Sequence, residues 1–182
     1  AGTVFILITP NLHALPQTVV SRCRQLRFRS LSRGEQREIL AAKLTGEDAD
    51  IDGLISMSLG RLGKAFRADP EALSGRRESA MAFLEGLSDP PGKADEAALL
   101  SLAASLAGGG GGSRIEILEF FEMLLGLLRD ILVIELAPDV LEPWNADLEE
   151  ALRAIGGRWG VPGLILSLDR VRTAVRDVGE IN

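Results

Sequence analysis

Residues 115–136 read IEILEFFEMLLGLLRDILVIEL, and this stretch decides the fold class. At 100° per residue, Glu116, Glu119, Glu122, Gly126, Arg129 and Asp130 fall in one sector about a third of the helix circumference wide, and apolar residues fill the remainder. Such a helix needs apolar partners on most of its sides, so the expected setting is the centre of a helical bundle. A membrane span is excluded for this stretch, because Glu116, Glu119, Glu122, Arg129, Asp130 and Glu135 interrupt it. The polar sector is expected to face solvent.

Working outward, helical patterns cover about 71–87, 95–106, 147–155 and 164–178, with the run Gly108 to Gly112 as a flexible connection. Residues 70–182 are therefore expected to form one bundle domain. Before Pro70, three shorter helices are expected. Ser32 with Glu35 has capping-box spacing ahead of Ile39, Leu40 and Leu44, and Gly46 marks an end. Residues 50–59 and 62–67 follow, divided by Gly60, which makes 31–69 a small helical module.

Residues 1–30 read differently. Val4-Phe5-Ile6-Leu7-Ile8 is a continuous apolar run typical of a strand buried on both faces, and Gln25-Leu26-Arg27-Phe28-Arg29 alternates with period two. Between them, 16–22 suits a short helix with Pro16 in its first turn. Two strands do not make an independently stable sheet, so this segment is expected to be the end of a larger α/β core. The overall expectation is a mainly α chain carrying a two-strand remnant of such a core.

Composition narrows the function. The 182 residues carry 26 acids against 20 Lys and Arg, a formal charge of −6, which argues against a dedicated nucleic-acid coat. A single cysteine, Cys23, cannot form an internal disulfide, and a single histidine, His13, cannot build a multi-histidine metal site. With no secretory leader pattern, the expected location is cytoplasmic. Gly60-Arg61-Leu62-Gly63-Lys64-Ala65 has the wrong spacing for a phosphate-binding loop and lacks its hydroxyl, and Pro91-Gly92-Lys93-Ala94 fails likewise. Cys23 and His13 could act as a nucleophile pair only with an orienting acid, and none is apparent. The plainer expectation is a small buried cysteine and a loop histidine.

The most informative order of residues is the apolar run 4–8, then Thr9-Pro10-Asn11, Leu15-Pro16-Gln17-Thr18-Val19-Val20-Ser21-Arg22-Cys23, and Gln25-Leu26-Arg27-Phe28. This resembles the end of the AAA+ ATPase core in the clamp-loader family. The resemblance implies that Arg22, flanked by Ser21 and Cys23, is an arginine finger offered to the ATP of a neighbouring subunit, and that Thr9 occupies the sensor-like position. A planar, permanently charged guanidinium suits that role, because it matches phosphate geometry and stabilises charge developing in phosphoryl transfer. Without the resemblance, Arg22 reads as one of five arginines between 22 and 33 on a solvated basic face.

In the ATP-hydrolysing members the lid helix carries a nucleotide-sensing arginine. Here Gly60-Arg61-Leu62-Gly63-Lys64-Ala65-Phe66 puts Gly63 at that position, and the stretch is similar to the delta-prime branch of bacterial DNA polymerase III clamp loaders, with Leu62 replacing its usual proline. Arg61 is a displaced-sensor candidate or a solvated helix-start residue. Leu128-Arg129-Asp130-Ile131-Leu132 resembles a stretch of the family's collar domain, where Arg129 and Asp130 read as a solvated stripe or a subunit contact.

The resemblance thus implies an AAA+ remnant at 1–30, a three-helix lid at 31–69 and a collar at 70–182. It implies no cofactor held by this chain, with ATP and Mg bound by neighbouring subunits. The implied partners are the gamma/tau ATPase and delta subunits, with primer-template DNA and the sliding clamp reached through the complex. The alternatives are a fragment of a gamma/tau-like ATP-hydrolysing subunit and a helical protein-interaction adaptor.

Overall fold

In a computed structural model, described for residues 2–44, 50–67, 69–87 and 113–180, the protein is mainly α-helical. The chain divides into two compact units, Ala1–Ser30 and Leu31–Asn182.

The first unit holds a 3₁₀ turn, Leu12–Ala14, and the one-turn helix α1, Gln17–Val20, which Pro16 precedes as its N-cap. The two expected strands do not form among the described residues: 4–8 and 25–29 join no ladder, and Ile8 and Phe28 are each 94% exposed. The physical reason is the one that limits any two-stranded sheet. Ordering an isolated pair costs backbone entropy that its few hydrogen bonds and one solvated face do not offset.

The second unit begins with α2 (Arg33–Lys43), whose capping box is formed: the Ser32 hydroxyl accepts from the Glu35 N–H while Glu35 Oε2 accepts from the Ser32 N–H at 2.8 Å. Helix α3 (Ile51–Met57) starts at Asp50, whose carboxylate accepts from the Gly53 N–H at 2.9 Å. Helix α4 (Leu62–Ala65) is a single turn. Leu40, Ile55 and Ala65 make a small core for these three, with Leu44, Ile51 and Leu62 packed around it. The expected helix end at Gly46 lies outside the described residues.

Helix α5 (Pro70–Gly86) carries Pro70 in its first turn, where the missing N–H does no harm, and Asp69 caps it. Helix α6 (Arg114–Leu136) is the expected long helix. Its start is sharpened by a second capping box, Ser113 with Glu116. Met123, Leu127, Leu128 and Ile131 are buried to within 1% and form the centre of the main core with Leu84 of α5. The expected helix at 95–106 and the run Gly108 to Gly112 lie outside the described residues.

The last two expected helices form a single run, α7 (Glu149–Glu180), broken at Gly160. Gly160 has φ 64° and ψ 164°, a conformation that a Cβ opposes, and Pro162 follows on the resumed helix. The break lets both limbs lie along α6: Leu152, Ile155 and Trp159 pack from the first limb, and Leu164 and Val171 from the second. Among the described residues, no helix is long and apolar enough to cross a membrane.

Candidate functional site

The Ser21-Arg22-Cys23 turn closes α1. Ser21 is its C-cap, and the N–H groups of Ser21, Arg22 and Cys23 donate to the carbonyls of Gln17, Val19 and Val20. These bonds tighten the turn and leave the three side chains exposed. The Arg22 guanidinium has no hydrogen-bond or ion-pair partner among the described residues, so its donors are free for an external anion. Thr9 is part-buried rather than exposed. Its Oγ1 donates to the Asn11 carbonyl at 2.9 Å and accepts from the Asn11 N–H at 3.2 Å, which commits the hydroxyl to a local turn. Cys23 is exposed, contrary to the expectation of a small buried cysteine, because the turn that carries it packs against no core. No hydrogen bond joins it to His13 among the described residues.

A second constellation lies in the other unit. The polar sector of α6, expected to face water, is instead a seam on which Leu59 at the end of α3, α4, α5 and the 142–145 segment dock. Arg76 of α5 pairs with Glu119 at 2.7 Å. Arg61 and Lys64 converge on a single oxygen, Glu122 Oε2, at 3.0 and 3.3 Å. One turn further on, Leu59 fills the notch left by Gly126, where a Cβ would stand 2.4 Å from Leu59 Cδ2. Leu59 is buried with φ 55°, a left-handed conformation that aims its side chain into this notch at the end of α3.

Another turn along, Asp130 is fully buried and saturated with donors. Its Oδ1 accepts from the Trp144 N–H at 3.0 Å, and its Oδ2 accepts from both the N–H and the Nδ2 of Asn145 at 2.8 Å. Arg129 donates to Asp130 Oδ1 at 2.6 Å and to the Glu142 carbonyl, while its guanidinium lies 4.3 Å from the centre of the Trp144 ring. Adjacent residues on a helix do not ordinarily meet. Here the long Arg129 side chain folds back, pinned between the ring and the carboxylate. Arg33 of α2 completes the link by donating to the Trp144 carbonyl at 2.9 Å and to Ser56 Oγ at 3.2 Å. The solvated-stripe reading of Arg129 and Asp130 therefore gives way to an internal clamp.

Between α4, α5 and the first half of α6 the seam leaves an open cleft of about 680 Å³. Arg61, the displaced-sensor candidate, lines it together with Lys64, Arg67 and Arg76. Among the described residues, no group of three His, Cys, Asp or Glu side chains is placed to hold a metal ion.

Two carboxylates in this unit are held below their ordinary range. Asp52 is pulled down chiefly by the Arg37 hydrogen bond; burial, the next largest effect, pushes upward, and the Arg37 and Arg33 charges help to outweigh it. For Glu122, burial pushes upward, but the hydrogen bond and charge of Arg61 and the charge of Lys64 outweigh it. A carboxylate with a depressed folded-state pKa contributes stability that is present at neutral pH and is lost as pH falls through that pKa. Urea midpoints measured from pH 7 downward should hold until roughly pH 4 and then fall. The double variant Asp52→Asn with Glu122→Gln should start lower and fall less steeply, and equal slopes for the two proteins would refute the assignment.

Sequence reasoning located Arg22 and Arg61 but missed Leu59, Trp144 and the docking role of Glu122, Gly126 and Asp130. A signal was available: 122, 126 and 130 recur every four residues, which places them in one row on an otherwise apolar helix. No protein-family model matches the chain, and neither a curated protein nor a solved structure matches it.

Proposed function

We propose that the chain belongs to a delta-prime-like subunit of a DNA polymerase III clamp loader, which helps assemble the loader and supplies Arg22 in trans to the ATP site of a gamma/tau-like neighbour. The observation that supports this reading is the Arg22 turn itself: an exposed guanidinium without an internal partner, on a backbone tightened by three hydrogen bonds, within a Ser-Arg-Cys sequence. In this reading 1–30 belongs to an AAA+ core, 31–69 is the lid and 70–182 the collar. ATP and Mg are held by the neighbour, and the delta subunit, primer-template DNA and sliding clamp complete the assembly in the cytoplasm.

The chemistry asked of Arg22 is electrostatic. A bidentate guanidinium aimed at the γ-phosphate stabilises charge that grows as the bond to the leaving phosphate breaks. Single-site arginine fingers contribute on the order of 10³ to 10⁵ in rate. A loader with several ATP sites dilutes the loss of one, so Arg22→Ala should lower the DNA-stimulated ATPase of the reconstituted complex by about tenfold at most, and Arg22→Lys should not restore it. The measurement is steady-state ATPase alongside a size-exclusion check that the complex still assembles. Unchanged ATPase and clamp loading in an intact Arg22→Ala complex would remove the finger role and favour a helical adaptor.

A further inference from the structure

The cleft beside α4 has a basic lip that the seam does not use up. Arg61, Lys64 and Arg67 recur every three residues along the single turn of α4 and its flanks, and all three line the cleft, with Arg76 on the α5 side. The acids present are spoken for unequally. Glu119 takes Arg76, Asp69 caps α5, and Glu122 serves Arg61 and Lys64 through one oxygen. Arg67 has no carboxylate partner among the described residues. Its Nε donates to the Gly63 carbonyl at 3.0 Å, which steadies the side chain and leaves the terminal nitrogens open.

We propose that this cleft binds an oligophosphate, phosphoryl groups linked in series, on Arg61, Lys64 and Arg67, with the Glu122 carboxylate as the internal anion that the ligand displaces. The match is one of charge and shape. A carboxylate brings one negative charge and satisfies two of the three cations, whereas serial phosphates bring several charges and enough oxygens for all three. Guanidinium groups also pair with phosphate through two parallel bonds. Glu122 is partly solvated, with its side chain 36% exposed, so it can turn to water when replaced. The volume of about 680 Å³ lies in the range that accepts a small ligand. The inference rests on this cleft alone and is independent of the role given to Arg22.

The test is titration calorimetry on the full chain at fixed low salt, with inorganic tripolyphosphate and a short oligothymidylate as separate probes. Saturable binding of at least one is expected, and the tighter probe tells whether the natural source is a free polyphosphate or a nucleic-acid backbone. Glu122→Gln should tighten it by about three- to fivefold, the scale of one surface ion pair. Lys64→Ala with Arg67→Ala should weaken it by about tenfold or more through loss of charge-assisted hydrogen bonds, while circular dichroism and the thermal midpoint stay near those of the parent. No saturable binding of either probe to the parent and to Glu122→Gln overturns the proposal. Binding that is indifferent to Lys64→Ala with Arg67→Ala overturns it equally, because the charge then acts from elsewhere.

Discussion

Asp130→Ala is expected to be among the most destabilising single substitutions in the chain, costing about 3–5 kcal/mol in urea unfolding at pH 7. The carboxylate is fully buried, and its loss strands the N–H groups of Trp144 and Asn145 and the Asn145 Nδ2 together. Asn145 is fully buried, so its two donors have no water to turn to while the clamp stays shut. Arg129 loses its carboxylate as well, although its side chain is partly exposed and retains the Trp144 ring and the Glu142 carbonyl. The damage should spread to α2, since Arg33 reaches the Trp144 carbonyl only if the 142–145 segment stays in place. Hydrogen exchange should therefore speed up in α2 as well as around 142–148. A loss below about 1 kcal/mol, typical of an ordinary solvated hydrogen bond, would show that Asp130 does not hold the clamp.

The second large effect is expected at the Leu59–Gly126 notch, where strain and packing oppose each other. Leu59→Ala removes a buried side chain at a site walled by α6 and should cost about 2–5 kcal/mol, because the notch at Gly126 cannot collapse onto the smaller residue. Gly126→Ala in the parent brings a Cβ to 2.4 Å from Leu59 Cδ2, so the clash offsets the roughly 1 kcal/mol that alanine offers a helix interior. With Leu59 already shortened, the clash disappears and Gly126→Ala should stabilise. A double-mutant cycle measures this directly, with a coupling of about 1 kcal/mol or more expected. Additive effects would mean that the two residues do not share the notch.

The helical half of the molecule was legible in its sequence because local chemistry decided it. Ser32 with Glu35, Asp50, Pro70 and the apolar spacing of 115–136 each specify a helix start or face with groups only a few residues apart. The break at Gly160 was harder to read, since Gly156, Gly157, Gly160 and Pro162 all interrupt the pattern and only Gly160 takes the left-handed conformation. The runs at 4–8 and 25–29 show the opposite limit. Their alternation and apolar content state what a strand would look like, but a strand exists only through a partner, and none forms a ladder with them among the described residues.

By itself, the sequence determined the mainly α class, the helix starts, the absence of a phosphate-binding loop from the chain, and Arg22 as the residue to question. Tertiary structure alone decided what the polar face of α6 is for. Periodicity can say that Glu119, Glu122, Gly126 and Asp130 lie together on one side of a helix, and by default that side meets water. It cannot say that Arg76, Arg61 with Lys64, Leu59 and the 142–145 backbone arrive there, because those partners are 14 to 67 residues away along the chain and meet the helix only once the modules have packed. A charge on an amphipathic helix reads the same whether water or a guanidinium faces it, and only the fold supplies the difference.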